Sequence, residues 1–355
     1  MPIILAIESS CDDSSVALLK GHRLIGMRQS GQEEHQRFGG VVPELASRAH
    51  QEWLSLIIND LIHDTSTSWS DIKAIAYTRG PGLMGSLMVG AAVAKGLALS
   101  LDIPLIGVNH LHGHLVSHFV EQELEEGIFP MLSLTVSGGH THLVWMESWL
   151  EGSSLCATLD DAAGEAFDKC AKMLGLPYPG GPVLDRLAAQ GDSGAYSWPM
   201  PQLGNEAYSF SGLKTSVLYY LAKHKPDLED RRDSALRDLC ASIQANVVEV
   251  LMKPVLHHAG QRKPRSLGLA GGVAANSLLR SRMLALGEQL GCKVHIPPLT
   301  WCTDNAAMIA TSARILMDHG KVAVESMGEK PLPRWPLMDY LVELSVLNLG
   351  QEGES

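Results

Sequence analysis

The chain has 355 residues, a hydrophobic content of 45% and a formal net charge of -11. This length exceeds the size at which one hydrophobic core keeps growing, so we expect two lobes. The acidic balance argues against a protein that coats nucleic acid nonspecifically, because affinity for phosphate backbones comes mainly from lysine and arginine. The six cysteines include no C-x-x-C pair, and neither a signal peptide nor a run of transmembrane length is apparent. We therefore expect a cytoplasmic protein with reduced thiols and no membrane association.

A predicted β-hairpin opens the chain, and its pattern recurs in the second half. Residues 3–19, "IILAIESSCDDSSVALL", and residues 131–146, "MLSLTVSGGHTHLVWM", each contain an apolar strand, a small polar turn and a second apolar strand. A strand, a glycine-containing loop and a helix follow in each half, in "KAIAYTRGPGLMGSLMVGAAVAKGLAL" and "RSLGLAGGVAANSLLRSRMLALGEQLG". This arrangement presents a helix N-terminus to an anion. The sequence predicts a duplicated α/β chain, with helices flanking the sheets, that binds a phosphate-containing ligand.

Helix signals lie between these units. Pro43 is predicted to open a helix, and Asp160 or Asp161 to cap a second helix that ends at Gly175. The stretch "GLPYPGGP", residues 175–182, is rich in turn residues and is predicted to be a loop. Its glycines would let a ligand approach the backbone closely, and an ordinary structural turn is the alternative.

The stretch "GVNHLHGHLVSH" is rich in histidine and suggests a metal site. His110 and His114 are four residues apart, so on a helix they share one face and can both bind a divalent metal. The pattern is similar to the zinc-protease motif H-E-x-x-H, but Leu111 occupies the position of the general-base glutamate. A third ligand would come from a distant carboxylate, and Asp304 in "WCTDNAAMIA" is the candidate. A helix N-cap role is the alternative for Asp304.

Glycine pairs and two carboxylates suggest where the ligand would lie. The pairs at residues 138–139 and 271–272 are candidate cradles for phosphate or ribose, with simple turns as the alternative. Asp168 and Asp185 flank the proline- and glycine-rich loop, where they could accept hydrogen bonds from ribose hydroxyls, although each by itself would also suit a surface acid.

Nine ordered motifs resemble those of the tRNA N6-adenosine threonylcarbamoyltransferase family, formerly called O-sialoglycoprotein endopeptidase. They are "AIESSCDD", "GGVVPELASRAH", "AYTRGPGLMGSLMVG", "NHLHGHL", "SGGHTHL", "DDAAGEAFDKCAKMLGLPYPGGP", "SFSGLKT", "LAGGVAANSLLR" and "CTDNAAMIA". The resemblance as a whole covers about residues 4–337. The resemblance implies an actin-like α/β fold of the ASKHA class, shared with sugar kinases and Hsp70, with duplicated lobes and a central cleft. The expected lobes are residues 1–130 and 131–303, with a helix at about 304–320 packing near the first lobe. Residues 338–355 would form a C-terminal extension of unknown role.

The resemblance also implies a reaction. The family transfers a threonylcarbamoyl group from threonylcarbamoyl-AMP to N6 of the adenosine 3′-adjacent to the anticodon in tRNAs that read ANN codons, and AMP leaves. The implied partners are tRNA, a separate synthase that supplies the donor, a non-catalytic actin-like paralogue and a P-loop ATPase. A metallopeptidase and a small-molecule kinase of the same fold are the alternatives. The peptidase lacks a base at Leu111, and such kinases do not need the histidine pair.

The family's site residues carry over to matching positions. The metal ligands of the family match His110, His114 and Asp304. The expected ion is Fe2+, with Zn2+ as the second choice. Imidazole suits both ions. The positions that match the nucleotide contacts are Thr135, Val136, Ser137, Gly138, Gly139, Asp168, Gly181, Asp185 and Asn276.

Three positions depart from the family pattern, and one catalytic role is left to infer. Asn109 and His112 stand where bacterial relatives often have His and Glu, so another histidine could compete for the metal. Thr135 replaces a usual apolar residue. Asp12, in the first hairpin turn, is the hypothesised catalytic residue, which would accept the N6 proton or position the donor.

Overall fold

The structure, a computed structural model, describes residues 1–30, 40–226, 234–321 and 327–346. Residues 347–355 of the expected C-terminal extension lie outside this part. The chain divides into two compact units. The first unit takes its described residues from Met1–Glu126, Glu147–Gly152 and Pro297–Ser355, and the second takes its described residues from Gly127–Met146 and Ser153–Ile296.

The described residues form eleven strands and ten α-helices. The strands are β1 (Ile3–Glu8), β2 (Ser14–Lys20), β3 (Arg23–Ser30), β4 (Ile72–Gly80), β5 (Leu105–Asn109), β6 (Met131–Val136), β7 (Thr141–Met146), β8 (Gly152–Thr158), β9 (Ala207–Tyr208), β10 (Ser266–Ala270) and β11 (Lys293–His295). The helices are α1 (Pro43–Asp64), α2 (Met84–Leu101), α3 (His110–Val116), α4 (Ala163–Met173), α5 (Gly180–Ala188), α6 (Ser211–His224), α7 (Ser234–Arg262), α8 (Ser277–Leu290), α9 (Ala306–Asp318) and α10 (Leu337–Val346).

The two sheets repeat one topology. The first sheet has the order β3-β2-β1-β4-β5, in which β1 runs antiparallel to β2 and parallel to β4. The second sheet has the order β11-β10-β6-β7-β8-β9, in which β6 runs antiparallel to β7 and parallel to β10. The hairpin β1-β2 thus corresponds to β6-β7, and the strands β4 and β5 correspond to β10 and β11. The predicted duplication is confirmed.

The first sheet is covered on both faces, which explains its continuous apolar strands. All six residues of β1 are buried. Ile3, Leu5 and Ile7 pack in one core with residues of α1 and α2, and α9 packs against β1 and β2. A charged side chain at the end of such a strand must therefore find partners inside the protein.

The predicted starts of α1 and α4 have different outcomes. Pro43 opens α1, as predicted, because its missing N–H is not needed in the first turn. The predicted caps of α4 are wrong, since Ala162 is the N-cap residue without a side-chain hydrogen bond. The Asp160 carboxylate instead accepts a hydrogen bond from Phe210 N at 2.8 Å, and Asp161 pairs with lysines.

The predicted loop at residues 175–182 is shorter than expected. Helix α5 starts at Gly180, so residues 180–182 form its first turn. Proline is tolerated there because the first N–H groups of a helix have no partner within the helix.

Two helices in the described part of the chain are long and apolar enough to span a membrane by length and composition. They are α2, with 33% of its apolar window buried, and α7, with 78% buried. The expectation that no run reaches transmembrane length is therefore wrong for these two helices. Core helices of water-soluble proteins meet the same criteria, and α7 has the burial of a core helix.

Candidate metal centre and nucleotide-binding residues

Helix α3 presents two histidines to one carboxylate. The N-cap residue of this helix is Asn109, whose side chain accepts hydrogen bonds from Leu111 N at 2.9 Å and His112 N at 3.4 Å. His110 and His114 lie one turn apart, and Asp304 Oδ1 is 3.5 Å from His110 Nε2 and 3.0 Å from His114 Nε2. One ligand atom from each of the three residues lies within 4.8 Å of the others. The sequence-predicted metal ligands thus come together in the first unit.

The N-cap alternative for Asp304 is wrong. The N-cap residue of α9 is its neighbour Asn305, whose side chain accepts a hydrogen bond from Met308 N at 2.9 Å. The Asp304 carboxylate, with 28% of the side chain exposed, instead lies against the two imidazoles.

The chemistry of these three groups fits a divalent metal. Both ring nitrogens of His114 are buried, and within the described part of the chain neither makes a hydrogen bond of good geometry. His110 engages Glu8 through Nδ1, which leaves Nε2 on the side of Asp304. Two imidazoles and one carboxylate suit Fe2+ or Zn2+, and three protein ligands leave coordination positions for a substrate.

Glu8 is an outer partner of the candidate metal centre, and the sequence analysis missed it. The side chain is fully buried at the end of β1 and accepts hydrogen bonds from Ser10 N and from Thr78 Oγ1, both at 2.6 Å. Its Oε2 atom lies 3.0 Å from His110 Nδ1. Such a carboxylate fixes the orientation of a metal-binding imidazole. The available signal was a glutamate that ends an otherwise apolar strand.

The charges of this pair shift both pKa values. Burial raises the pKa of Glu8, but the charge and hydrogen bond of His110 outweigh it, so the net shift is downward. Burial lowers the pKa of His110, but the charges of Glu8 and Asp304 raise it to about 9. In the metal-free protein the pair is therefore an ion pair at neutral pH.

Asp12 and Asp13 lie in the turn between β1 and β2, beside the same centre. Burial, followed by the charges of Asp12 and Asp304, raises the pKa of Asp13 to about 7. A carboxyl group that titrates near neutral pH suits acid–base work. The sequence analysis selected Asp12 and missed Asp13, because adjacent carboxylates in a turn look equivalent until their burial is known.

Side chains of α1 and α2 bind the backbone of this turn. The carbonyl of Cys11 accepts hydrogen bonds from His50 Nε2 and from Ser86 Oγ, both at 2.9 Å. His50 Nε2 must carry the proton, so its Nδ1 accepts from Ser14 Oγ at 2.6 Å. The peptide group between Cys11 and Asp12 is thus held by side chains on two separate helices.

The expectation that a further histidine competes for the metal is wrong for His112. Its Nε2 donates to Trp149 O at 3.0 Å, and its Nδ1 lies 2.7 Å from Ser312 Oγ. Burial lowers the pKa of His112 to about 4, so the ring is neutral. Both nitrogens are committed on the side of α3 away from Asp304.

In the second unit, a glycine-lined turn follows β6. Thr135 and Val136 end the strand, and Ser137, Gly138 and Gly139 form the turn into β7. A Cβ atom on Gly271, which has a φ of +86°, would lie 2.3 Å from Val136 O. A Cβ atom on Gly164 would lie 2.6 Å from Ser137 O. Nothing within 4 Å fills the space where Gly138 or Gly139 would carry a side chain.

Asp168 caps the next helix. Its Oδ1 atom accepts hydrogen bonds from Gly180 N at 2.8 Å and from Gly181 N at 3.1 Å. Burial raises the pKa of Asp168 although these hydrogen bonds oppose the shift. Asp168 and Gly181, two of the predicted nucleotide contacts, are therefore hydrogen-bonded to each other.

Asp185 makes a comparable contact with Asn276. Asp185 Oδ1 accepts hydrogen bonds from Asn276 Nδ2 at 3.2 Å and from Ser277 Oγ at 2.7 Å, and Gln244 Nε2 also donates to it. Asn276 is the N-cap of α8, accepting from Leu279 N at 3.0 Å.

These contacts join the predicted nucleotide residues into one set. Gly164 and Asp168 lie four residues apart on α4, as do Gly181 and Asp185 on α5, so each pair shares a helix face. The N–H groups of α5 and the first N–H of α8 already bind carboxylates. At α4, by contrast, Ala163 N donates to the neutral hydroxyl of Thr141 at 2.9 Å. The turn at residues 137–139, beside this helix, is therefore the better place for an anion.

Comparison with known proteins decides the family. A sequence model of the tRNA N6-adenosine threonylcarbamoyltransferase family matches residues 24–311. The chain belongs to this family. The tRNA N6-adenosine threonylcarbamoyltransferase of Riemerella anatipestifer is 44% identical over 322 residues, which cover 90% of this chain and 94% of that protein. The tRNA N6-adenosine threonylcarbamoyltransferase of Geotalea uraniireducens is 45% identical over 339 residues, covering 94% and 96%.

Solved structures agree with the family's fold. HypF of T. kodakarensis matches with a TM-score of 0.62 at 14% identity, over 90% of this chain and 48% of HypF. At this identity the likeness concerns the fold alone. The predicted actin-like α/β fold with duplicated sheet-and-helix units is confirmed. The predicted cleft stays a prediction.

Proposed function

We propose that this chain transfers the threonylcarbamoyl group of threonylcarbamoyl-AMP to N6 of the adenosine 3′-adjacent to the anticodon in ANN-decoding tRNAs, with release of AMP. The observation that carries the proposal is the approach of His110, His114 and Asp304 within the fold of this family. A peptidase base is missing at Leu111, which is buried. The comparisons favour neither the metallopeptidase nor the small-molecule kinase.

His110, His114 and Asp304 would hold the metal, which we propose to be Fe2+, with Zn2+ as the second choice. When bound, a divalent ion supplies Lewis acidity and a template for donor oxygens. Glu8 would keep His110 turned so that Nε2 faces Asp304. Asp12 would accept the N6 proton or position the donor, and Asp13 is a second candidate for the proton transfer because its pKa lies at about 7.

The second unit would bind the adenylate part of the donor. The phosphate would contact the turn of Ser137, Gly138 and Gly139, beside the N-terminus of α4. Asp168 and Asp185 would accept hydrogen bonds from ribose hydroxyls. The remaining predicted contacts are Thr135, Val136, Gly181 and Asn276.

The reaction requires the site to orient the adenine amine rather than to activate the donor. The donor is a mixed anhydride, so it needs no further activation, whereas the N6 lone pair is delocalised into the adenine ring. The site must therefore orient the amine against the carbonyl and stabilise charge as AMP leaves. Anticodon-loop bases can be splayed out of the stack, so the target atom can be reached without melting a duplex.

Partners and location belong to the same proposal. We propose that the chain works in the cytoplasm, in keeping with its six free cysteines. Its proposed partners are tRNA, a synthase that makes threonylcarbamoyl-AMP, a non-catalytic actin-like paralogue and a P-loop ATPase. We further propose that residues 1–130 with the helix at about 304–320, and residues 131–303, act as the two lobes.

The decisive experiment is nucleoside mass spectrometry. An ANN-decoding tRNA is incubated with the chain, its partners and threonylcarbamoyl-AMP, and modified adenosine is quantified. The intact chain should form it, and His114→Ala should not, whereas the matched control His257→Ala changes an exposed histidine on α7 and should retain activity. Absence of modified adenosine with the intact chain would reject the proposal.

A further inference from the structure

The segment of residues 329–346 packs beside the metal-binding helix. Its first part is bound to the end of β4, where Leu332 N donates to Arg79 O at 2.8 Å and the Arg79 guanidinium pairs with Glu329 at 2.6 Å. The same guanidinium lies over the Trp335 ring, 5.2 Å from its centroid. Trp335 is 5% exposed and Tyr340 is 2% exposed. These two rings therefore lie in the interior of the first unit.

One hydrogen bond joins the segment to the start of α3. Asn109 Nδ2 donates to Trp335 O at 3.0 Å, and both groups are buried. The other atom of the same amide, Oδ1, caps α3 through Leu111 N. The amide therefore links the first turn of α3, which begins with the ligand His110, to the backbone of the C-terminal segment.

Ring contacts brace the opposite side of α3. The Tyr340 ring packs against His112, with centroids 5.5 Å apart, and against Trp335, with centroids 4.9 Å apart. At about 100° per residue, His112 lies nearly opposite His110 and His114 on the helix. Gly113 brings α3 close to α9, because a Cβ there would lie 2.9 Å from Ile309 Cδ1.

We propose that residues 329–346 form a clamp that sets the position of α3, so that Asn109 and Tyr340 are positioning residues for the metal ligands His110 and His114. The clamp gives a role to the described part of the C-terminal extension. It rests on the metal site of the proposed function and deepens it. A helix of seven residues has little stability of its own, so its position depends on the side chains packed around it.

The test measures metal binding by the full-length chain rather than turnover. Metal-free protein is titrated with Co2+, and the visible absorption of the bound ion reports both affinity and ligand geometry. Tyr340→Ala removes the ring contacts, and Asn109→Asp keeps the Oδ1 cap but loses the donor to Trp335 O. Both variants should bind Co2+ about tenfold more weakly and with an altered spectrum, as for other outer contacts of a metal site.

Two variants serve as controls. Tyr340→Phe keeps the ring, and Val342→Ala changes a residue of α10 that is 62% exposed, so both should keep the wild-type affinity and spectrum. Thermal unfolding of each metal-free variant identifies the temperature range in which it is fully folded, and binding is measured there.

The outcomes separate the clamp from simple stabilisation. A folded Tyr340→Ala and a folded Asn109→Asp with wild-type Co2+ affinity and spectrum would overturn the clamp, even if their melting temperatures fall. If Tyr340→Ala does not fold, Asn109→Asp decides alone. If the wild-type chain binds no Co2+, or if His114→Ala binds it equally well, the metal site itself is wrong and the clamp is rejected with it. Binding of Co2+ without tRNA modification would reject only the proposed reaction.

Discussion

Glu8 Oε2 lies 3.0 Å from His110 Nδ1, while Nε2 of the same ring lies 3.5 Å from Asp304 Oδ1. The imidazole is thus held between a fully buried carboxylate and a proposed fellow ligand. Replacing Glu8 with glutamine keeps the size of the side chain but removes the charge that orients and polarises the ring. We expect Glu8→Gln to weaken metal binding by about ten- to a hundredfold, measured by Zn2+ competition with a chromophoric chelator.

The matched control is Glu44→Gln, since Glu44 is exposed and pairs with Arg48, which is also exposed. Surface pairs of this kind contribute about 0–1 kcal/mol, so the control should bind metal like the wild type. Equal affinity of Glu8→Gln and wild type would show that the carboxylate is a structural acceptor for Ser10 and Thr78 alone.

Metal binding should also depend on pH. The pKa of His110 is raised to about 9 in the metal-free protein, and a ligand imidazole must be neutral. Each bound ion therefore displaces one proton below pH 9, so the apparent affinity should rise about tenfold per pH unit from pH 7 to 9 and then level off. In Glu8→Gln the charge that raises this pKa is absent, so the plateau should begin at a lower pH. A pH-independent affinity between 7 and 9 would contradict this assignment.

The duplicated architecture could be predicted because it depends on local patterns. The hairpins at residues 3–19 and 131–146 are apolar strands around polar turns, and both pair as expected. The errors concern side chains whose partners are distant in sequence. Asp160 resembles a helix cap, yet its carboxylate binds Phe210 N, fifty residues away.

In the candidate metal site, too, local patterns were predictable and distant partners were not. His110 and His114 could be predicted because their spacing places them on one helix face. Glu8 and Asp13 could not, because the first acts only through His110 and the second is distinguished from Asp12 by burial. The capping role of Asp168 could not be predicted either, because it depends on where α5 starts, at Gly180.

Asp12 and Asp13 can be separated by substitution. If Asp12 accepts the N6 proton or positions the donor, Asp12→Asn should reduce turnover, and unchanged turnover would reject that role. The charge of Asp12 also raises the pKa of Asp13, so Asp12→Asn should lower the pKa of Asp13 from about 7. Carbon-13 NMR of labelled aspartate carboxyl groups measures this pKa directly. Asp60→Asn, at an exposed position of α1, is the control and should change neither quantity.

The exposed side of α2 suits the proposed paralogue partner. Met84 is 48% exposed, Met88 is 56% exposed and Leu99 is 71% exposed, and helical spacing places them on one stripe. The one charged residue of α2 is Lys95, and its Nζ donates hydrogen bonds to the carbonyl oxygens of Met327 and Glu329. Met88→Glu should weaken binding of the paralogue by about tenfold or more, because an unpaired charge would be buried at the interface.

Analytical ultracentrifugation of the mixed proteins measures this loss of binding. Met200→Glu is the control, at a methionine of the second unit that is 39% exposed. Wild-type binding by Met88→Glu would exclude the α2 stripe as the docking surface.

Asp168 combines a structural and a proposed ligand role, and two substitutions separate them. Asp168→Ala removes the acceptor for Gly180 N and Gly181 N and should lower the free energy of unfolding by about 1–2 kcal/mol. Asp168→Asn keeps an oxygen that can cap α5, so its stability should stay within about 0.5 kcal/mol of the wild type. Urea unfolding measures both values.

The amide should still weaken AMP binding, because a ribose hydroxyl donates a stronger hydrogen bond to a carboxylate than to a neutral carbonyl. Isothermal titration with AMP should therefore show weaker binding for Asp168→Asn than for Glu288→Gln, which changes an exposed residue of α8. Wild-type AMP affinity in a stable Asp168→Asn would limit Asp168 to its role as a helix cap. The turn at residues 137–139 and Asp185 would then remain as the proposed contacts of the nucleotide.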